Sequence, residues 1–172
     1  MRYNKQMGLR VLSVLLLILL LLFVPFLERL NLKTRDGEFI ESYSLENSDY
    51  FDVKFRHSVN KGMVIERYEL DKENKLIYLK SGWFESYGVG MMDTLDETMK
   101  MVEDGDMYRI DFAQNKVKSV NYASAGIARH VFTYGKNEIS FYEVCPYKTI
   151  NISIGNTNYF EIIKLFIKNK PN

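Results

Sequence analysis

Two side chains of this 172-residue chain, the imidazole of His57 and the carboxylate of Glu66, have the types and the spacing for chemistry. Residues 51–70 read as two strands, and a turn at Lys61-Gly62 places His57 directly opposite Glu66. Opposite Cβ atoms of antiparallel strands lie about 4.5–5.5 Å apart, so the two side chains could touch. They could then form an acid–base pair, or half of a ligand or metal site. The alternative is a structural pair in the core, in which the carboxylate orients a buried histidine.

The same turn sets the register of the whole predicted hairpin. The other opposing pairs are Val53 with Leu70, Phe55 with Tyr68, and Val59 with Val64. Alternation puts these residues on one face with His57 and Glu66, whereas Ser58 points to the other face. A serine nucleophile needs hydrogen-bond contact with its base, so His57 and Ser58 do not read as a catalytic pair. The chain also has no Gly-x-Ser-x-Gly motif, and we predict that the protein is not an enzyme.

A glycine segment, Ser86-Tyr87-Gly88-Val89-Gly90, follows a strand predicted over residues 76–85. Two glycines spaced by one residue suit a positive φ or a close approach of the backbone. The segment lacks the third glycine and the strand-to-helix context of a dinucleotide loop, so a phosphate cradle is a poor interpretation. One hypothesis is that this loop joins His57 and Glu66 in binding a small ligand or an ion.

Charge and composition exclude several other classes of protein. The chain carries 23 basic and 22 acidic residues, without the basic patch that nucleic-acid binding requires. Its single cysteine, Cys145, allows neither an intramolecular disulfide nor a cysteine zinc site, and reads as a small buried hydrophobe. His57 alone supplies too few metal ligands, and we expect neither a metal nor another cofactor. The second histidine, His130, reads as a surface or sheet residue.

The N-terminal segment predicts a membrane anchor. Residues 11–27 carry no charge, and about 17 apolar residues is the lower limit for a spanning helix. Residues 1–10 hold three basic residues and no acid, which favours a cytoplasmic N-terminus and an exported remainder, residues 28–172. The alternative is a cleaved signal peptide, whose apolar core of about 7–15 residues precedes a small-residue cleavage site. No such site follows here, so we expect an uncleaved single-pass anchor in the lipid bilayer of the cell membrane.

Residues 28–172 predict one all-β domain, an antiparallel sandwich or barrel of roughly eight to ten short strands. Asp36-Gly37 and Asp104-Gly105 are hairpin signals, because these dipeptides suit tight turns between strands. Further strands are predicted over residues 116–122, 128–134, 138–144 and 149–154. In the last of these, alternation places three isoleucines on one face, as expected of a half-buried strand. A capping box from Thr94 leaves a short helix open as the alternative for part of residues 91–103.

The C-terminal tail, residues 159–172, is apolar with interspersed lysines. It could form one more strand, or a short helix that lies on the sheet or on the bilayer. The lysines would suit anionic lipid headgroups in the second case.

Several of these motifs occur in one order along the chain. His57-Ser58-Val59 closes an apolar strand, Glu66 follows on the next strand, and the glycine segment comes after a third. Over about residues 33–154 the chain resembles a bacterial family of domains of unknown function, numbered 1850. The family's signature positions are occupied here by His57, Ser58, Glu66, Ser86, Tyr87, Gly88 and Gly90.

The resemblance implies a small β protein that is exported or membrane-anchored and has no enzymatic activity. Genes of this family tend to accompany tripartite ATP-independent periplasmic (TRAP) transporters, particularly those of the TAXI type. The resemblance therefore implies that the protein is an accessory subunit that contacts the transporter permease or the solute-binding protein. The expected contacts are the anchor and the glycine segment around Tyr87.

Overall fold

The computed structural model describes residues 2–86, 99–113 and 116–168, with side chains from residue 6 onward. The first element is a helix, α1, over Arg2–Phe23. Its window Gln6–Phe23 has a mean hydropathy of 2.4, and none of that window is buried against the rest of the chain. The helix is therefore long and apolar enough to cross a membrane or to serve as a signal sequence.

This helix ends at Phe23, before the end of the predicted membrane segment at residue 27. Pro25 explains the difference, because it lacks a backbone N–H and its ring disfavours the helical conformation of Val24. Leu27 is already the first residue of a strand. The apolar residues 24–26 thus connect α1 to β1 and do not extend the helix.

The rest of the described chain is dominated by strands. The helices and strands are β1 (Leu27–Thr34), β2 (Phe39–Ser44), β3 (Tyr50–Arg56), β4 (Met63–Asp71), β5 (Leu76–Phe84), β6 (Lys100–Asp104), β7 (Met107–Asp111), β8 (Lys116–Val117), β9 (Ser119–Ala123), β10 (Val131–Tyr134), β11 (Asn137–Ser140), α2 (Phe141–Val144), β12 (Thr149–Thr157) and α3 (Tyr159–Lys168). Every strand pairing among them is antiparallel. The predicted all-β domain behind an N-terminal helix is confirmed.

The strands form two sheets that pack as a sandwich. One sheet has the order β2-β1-β12-β9, and the other has the order β11-β10-β3-β4-β5-β7-β6 with β8 beside β5. The described residues hold more strands than the eight to ten expected, since the strand predicted over residues 116–122 divides at Lys118. β8 pairs with β5, whereas β9 crosses to β12 in the other sheet. The strand predicted over residues 138–144 is also corrected, because a helical turn begins at Phe141.

The core lies between the two sheets and is built from alternate residues of the facing strands. Its fully buried members include Leu30, Leu32, Phe51, Val53, Ile77, Phe132, Tyr134, Phe141, Ile150 and Ile152. The predicted inward face of Ile150, Ile152 and Ile154 is confirmed. Cys145 is buried as well, with a free thiol.

Local turn chemistry accounts for the confirmed hairpins. Gly37 and Gly105 have φ values of +86° and +63°, a region that glycine reaches without steric cost. They connect β1 to β2 and β6 to β7. The short helix predicted as an alternative from Thr94 lies outside the described residues. The tail, for which a strand and a helix were both open, forms the helix α3.

Candidate functional site

The loop between β3 and β4 is longer than the predicted two-residue turn. Arg56 pairs with Met63, so the loop comprises residues 57–62, named here the signature loop. Val53 lies opposite Glu66 and not opposite Leu70, a shift of four residues. The predicted register, with His57 opposite Glu66, is therefore wrong. The predicted inward face is right for the paired residues such as Val53 and Leu70, because a shift by an even number of residues keeps each strand side chain on its face. It is wrong for Val59, which lies in the loop and is 57% exposed.

His57 closes the signature loop with its own backbone and ring. Its N–H donates to the carbonyl oxygen of Gly62 at 2.9 Å, and its carbonyl accepts the N–H of Lys61 at 3.2 Å. Its ring Nδ1 accepts the N–H groups of Val59 at 3.3 Å and Asn60 at 3.4 Å. The imidazole thus does what Asp and Asn side chains do in turns, where they accept nearby backbone N–H groups. Since these bonds end β3 at Arg56, His57 is a turn residue and not a strand residue.

Asn60 and Gly62 tie the signature loop to Ser86. The Asn60 side chain accepts the N–H of Gly62 at 3.0 Å and donates to the carbonyl oxygen of Ser86 at 3.3 Å. A Cβ at Gly62 would lie 2.7 Å from the Ser86 Oγ atom, which is closer than real contacts allow. The loop therefore packs against the residue from which the glycine segment departs. Tyr87, Gly88 and Gly90, the other predicted signature residues of that segment, lie outside the described residues.

Replacing Asn60 with alanine should weaken the attachment of the signature loop to Ser86. We expect the free energy of unfolding to fall by about 1 kcal/mol, the usual net value of a lost hydrogen bond. Amide exchange at Gly62 should accelerate, since its N–H loses its acceptor. Urea unfolding and hydrogen exchange of the full-length protein in detergent measure both. The matched control is Ser58→Ala, at an exposed position of the same loop, with an expected change below about 0.5 kcal/mol. Equal amide exchange rates at Gly62 in the two variants would contradict the role of Asn60 in holding the loop.

Glu66 lies away from the signature loop, between the two sheets. It stands on β4 between Val53 of β3 and Gly82 of β5. Its Oε2 atom accepts a hydrogen bond from the hydroxyl of Tyr68 at 3.0 Å and another from the hydroxyl of Tyr122. The two hydroxyl oxygens are 2.7 Å apart. These three residues are named the tyrosine–carboxylate cluster.

The cluster joins the two layers of the sandwich. Glu66 and Tyr68 belong to β4 in one sheet, and Tyr122 belongs to β9 in the other. Burial raises the pKa of Tyr122, and the negative charge of Glu66 raises it further. The same two causes raise the pKa of Tyr68. Both phenols therefore stay protonated at neutral pH and donate to the carboxylate. This arrangement holds the half-buried carboxyl group of Glu66 against two buried phenols.

His130 lies beside the cluster, in a position that the sequence reading missed. It immediately precedes β10, so it is not a sheet residue, and its side chain is half-buried. Its ring is 4.9 Å from the ring of Phe55 and 5.3 Å from that of Tyr122, measured between centroids. Its Nδ1 atom is buried and has no hydrogen-bond partner among the residues that the structure describes. Burial lowers the pKa of His130.

This environment predicts a loss of stability in acid. The folded protein resists protonation of His130, so the unfolded chain binds more protons once the pH falls below the ordinary pKa of 6.5. The free energy of unfolding should therefore fall with pH from that point, until the pH is below the folded-state pKa. We expect a shallower pH slope in His130→Phe, measured by urea unfolding at several pH values. Val131→Ala, which removes no ionisable group, should keep the wild-type slope. Identical slopes in wild type and His130→Phe would contradict the assignment.

Two surface clefts lie apart from His57 and Glu66. One, of about 770 Å³, is lined by Gly126, Arg129, Val131, Glu138, Ser140, Tyr142 and Glu143. A smaller one, of about 120 Å³, lies against Phe55, Arg56 and Met63. Within the described ranges, no group of three His, Cys, Asp or Glu side chains is placed to hold a metal ion. The structure thus separates His57 from Glu66, two of the residues that the hypothesis of a small-ligand site had joined.

Sequence reasoning found some of these residues and missed others. Tyr68 stands two residues after Glu66 on one strand face, a spacing that alternation makes visible. Tyr122 follows 56 residues after Glu66, and no local signal pairs the two. Asn60 carried only the weak signal of a turn residue.

The fold and the site together define a class: an antiparallel β-sandwich behind an apolar N-terminal helix, with a hydrogen-bonded loop and a tyrosine–carboxylate cluster between the sheets. The chain belongs to the family described as Domain of unknown function (DUF1850), whose model matches residues 51–141. The matched stretch begins in β3 and ends at the start of α2, so it contains both the signature loop and the cluster. The resemblance drawn from the motifs is confirmed. No curated protein and no solved structure matches the chain.

Proposed function

We propose that the protein is a membrane-anchored, extracytoplasmic accessory subunit of a solute transporter of the TAXI-type TRAP class. The signature loop would be its contact with the permease or with the solute-binding protein. One observation carries the proposal: the described signature residues His57 and Ser58 lie in an exposed loop whose backbone is held by hydrogen bonds and attached to Ser86.

The signature loop has the properties of a contact surface. His57 and Asn60 hold the loop and attach it to Ser86 through the six hydrogen bonds given above, while Ser58 and Val59 point to solvent. The Val59 side chain is 57% exposed although it is apolar. A loop that is already ordered loses little conformational entropy when a partner binds, so a small apolar tip suffices for a specific contact.

The two side chains that could take part in catalysis, His57 and Glu66, form hydrogen bonds with other groups of the protein. The Nδ1 atom of His57 accepts backbone N–H groups of its own loop. The Oε2 atom of Glu66 accepts two tyrosine hydroxyls. A general base must be within hydrogen-bond reach of the proton that it removes from a substrate, and both groups face protein donors. This supports a role in interaction over a role in catalysis.

The helix α1 supports the proposed location at a membrane, and the family supports the proposed partner. α1 is long and apolar enough to hold the domain at a membrane, and the basic residues at its N-terminal end favour export of the domain. Genes of this family tend to accompany TAXI-type TRAP transporters, so such a transporter is the proposed partner.

Co-purification tests this proposal. The tagged full-length protein is extracted from native membranes in gentle detergent, and its companions are identified by mass spectrometry. We expect a transporter permease or a solute-binding protein, at a yield that Val59→Asp reduces. Ile127→Asp is the matched control, since Ile127 is also exposed but lies in another loop. Recovery of the tagged protein without any transporter subunit would contradict the proposal.

The same preparation tests the alternative, a small-ligand or ion-binding module that uses His57, Glu66 and the Gly88–Gly90 loop. Ligands that bind the native state raise its apparent stability. A thermal-shift screen with metals, amino acids and carboxylates would show such a rise. Under the accessory-subunit proposal we expect none.

A further inference from the structure

The C-terminal helix α3 carries an exposed apolar face. Its exposed large side chains are Tyr159, Phe160, Ile163, Phe166 and Ile167, with Phe166 73% and Ile167 68% accessible. Their spacing places them along one side of the helix. On the opposite side Leu165 is buried, and the helix packs beside β2. α3 is thus attached to the domain by one face and leaves its more aromatic face uncovered.

This apolar face continues the surface of α1. The ring of Phe160 stacks on Phe23, the last residue of α1, with ring centroids 4.9 Å apart. The ring of Tyr159 meets Phe26 edge-on at 5.2 Å. The two helices therefore meet at the point where the membrane segment ends, and their exposed apolar side chains form one surface.

Asn158 fixes this junction with both ends of its side chain. Its Nδ2 atom donates to the carbonyl oxygen of Phe23 at 3.3 Å, at the C-terminus of α1. Its Oδ1 atom accepts the N–H of Glu161 at 2.8 Å, as an N-cap side chain does at the start of a helix. The start of α3 is thereby attached to the end of α1.

The charged side chains of α3 lie away from the apolar face. Lys168 is 3.6 Å from a carboxylate oxygen of Glu38 in the domain, and Lys164 is 3.6 Å from Glu161 on the helix itself. A helix with aromatic and branched apolar residues on one side and lysines on the other is the pattern of segments that lie in the membrane interface. Tyrosine and other aromatic rings are also enriched at the level where helices leave the hydrocarbon.

We propose that α3 lies in the bilayer interface, with Tyr159, Phe160, Ile163, Phe166 and Ile167 among lipid headgroups and upper acyl chains. The occupant of the face is the lipid bilayer, because its surface is continuous with that of α1, and a bilayer around α1 covers both. The inference rests on α1 being a retained anchor, as in the proposed function. It adds a second membrane contact that sets the orientation of the domain.

Tryptophan fluorescence of the full-length protein in phospholipid vesicles tests the position of α3. The chain has one tryptophan, Trp83, so Trp83→Phe gives a background without this fluorophore. Phe166→Trp then reports on the exposed face, and Ile167→Trp is a second probe on the same face. The control is Tyr147→Trp, at an 81% exposed residue next to the start of β12. β12 has nine residues, so its two ends lie about 27 Å apart, and α3 follows the other end.

The inference predicts blue-shifted emission from Phe166→Trp and Ile167→Trp, and loss of most of that emission when lipids are brominated in the upper acyl chain. Tyr147→Trp should keep its emission. The inference would be overturned if both α3 probes gave unshifted, unquenched emission in protein that stays with the vesicles after a carbonate wash. Retention after the wash would show that α1 is still an anchor. Release of the protein by the wash would overturn the anchor as well. Circular dichroism matching wild type shows that each variant is folded.

Discussion

Replacing Tyr122 with phenylalanine is expected to lower the free energy of unfolding by about 1.5–3 kcal/mol, the usual value of a hydrogen bond to a charged group. The change removes only the hydroxyl that reaches from β9 to the Oε2 atom of Glu66. Tyr68 then remains as a hydroxyl donor to this carboxylate, from the same strand. The phenylalanine ring keeps its place among the core aromatics, so the loss reports on the polar contact between the sheets.

The cluster also makes stability depend on alkaline pH. Burial and the charge of Glu66 raise the pKa of Tyr122 above its ordinary value of 10. Between that pH and the folded-state pKa, the folded protein keeps a proton that the unfolded chain has lost. The free energy of unfolding is therefore at its full value below pH 10 and falls as the pH rises. Tyr122→Phe should make this fall shallower.

Urea unfolding of the full-length protein in detergent, followed by Trp83 emission, measures both effects. Tyr147→Phe is the matched control, because its hydroxyl contacts only an exposed tyrosine in the described structure, Tyr142. We expect that control to change stability by less than about 0.5 kcal/mol. A double-mutant cycle with Glu66→Gln should give a coupling energy well above zero. Additive effects of the two changes would show that the two sheets are not joined through this contact.

Replacing Phe132 with alanine is expected to cost about 3–5 kcal/mol, the largest effect of a single change considered for this protein. Phe132 of β10 is fully buried. Its ring lies 5.4 Å from that of Phe51, 6.0 Å from that of Tyr43 and 6.2 Å from that of Phe141, between centroids. These partners come from both sheets and from α2. A cavity here would therefore remove contacts on several sides at once, and the surrounding strands cannot all close on it.

Phe166→Ala is the matched control for this core substitution, with the same change of side chain at a 73% exposed position. In detergent it should change the free energy of unfolding by less than about 0.5 kcal/mol. Thermal unfolding of the two variants and of wild type makes the comparison. Equal losses in both variants would mean that the core of the domain does not lie around Phe132.

Local patterns were sufficient to predict the architecture, because the strands alternate and the hairpins carry their turn residues. The β1–β2 and β6–β7 hairpins follow from Asp-Gly dipeptides, and the inward face of β12 follows from its isoleucines. What alternation cannot predict is the length of a loop. Registers that differ by an even number of residues bury the same faces, so the four-residue shift between β3 and β4 leaves the hydrophobic pattern unchanged.

The correct register depends on side-chain to backbone hydrogen bonds within the loop. An imidazole that accepts two N–H groups ends β3 early and opens the longer loop. The tyrosine–carboxylate cluster could not be predicted from the sequence for a different reason. Tyr122 meets Glu66 only because the chain changes sheets at Lys118, between β8 and β9. No property of residues 116–122 alone distinguishes that crossover from one continuous strand.

The signature residues that the structure describes thus fall into two groups with different roles. Glu66 stabilises the sandwich through tyrosines of both sheets. His57 and Ser86, with Asn60 and Gly62 between them, hold the signature loop at the base of the glycine segment. We infer that the first group maintains the fold and that the second presents the contact surface for the transporter.

Site-specific photo-crosslinking in native membranes tests this division most directly. A photoreactive residue replaces the exposed Val59 of the signature loop in the full-length protein, and in a parallel variant it replaces Ile127, which is 73% exposed in another loop. We expect irradiation to join the Val59 variant to a transporter permease or solute-binding protein, and we expect Asn60→Ala to weaken that product. A Val59 variant that yields no transporter adduct, or no more than the Ile127 variant, would contradict the role of the signature loop.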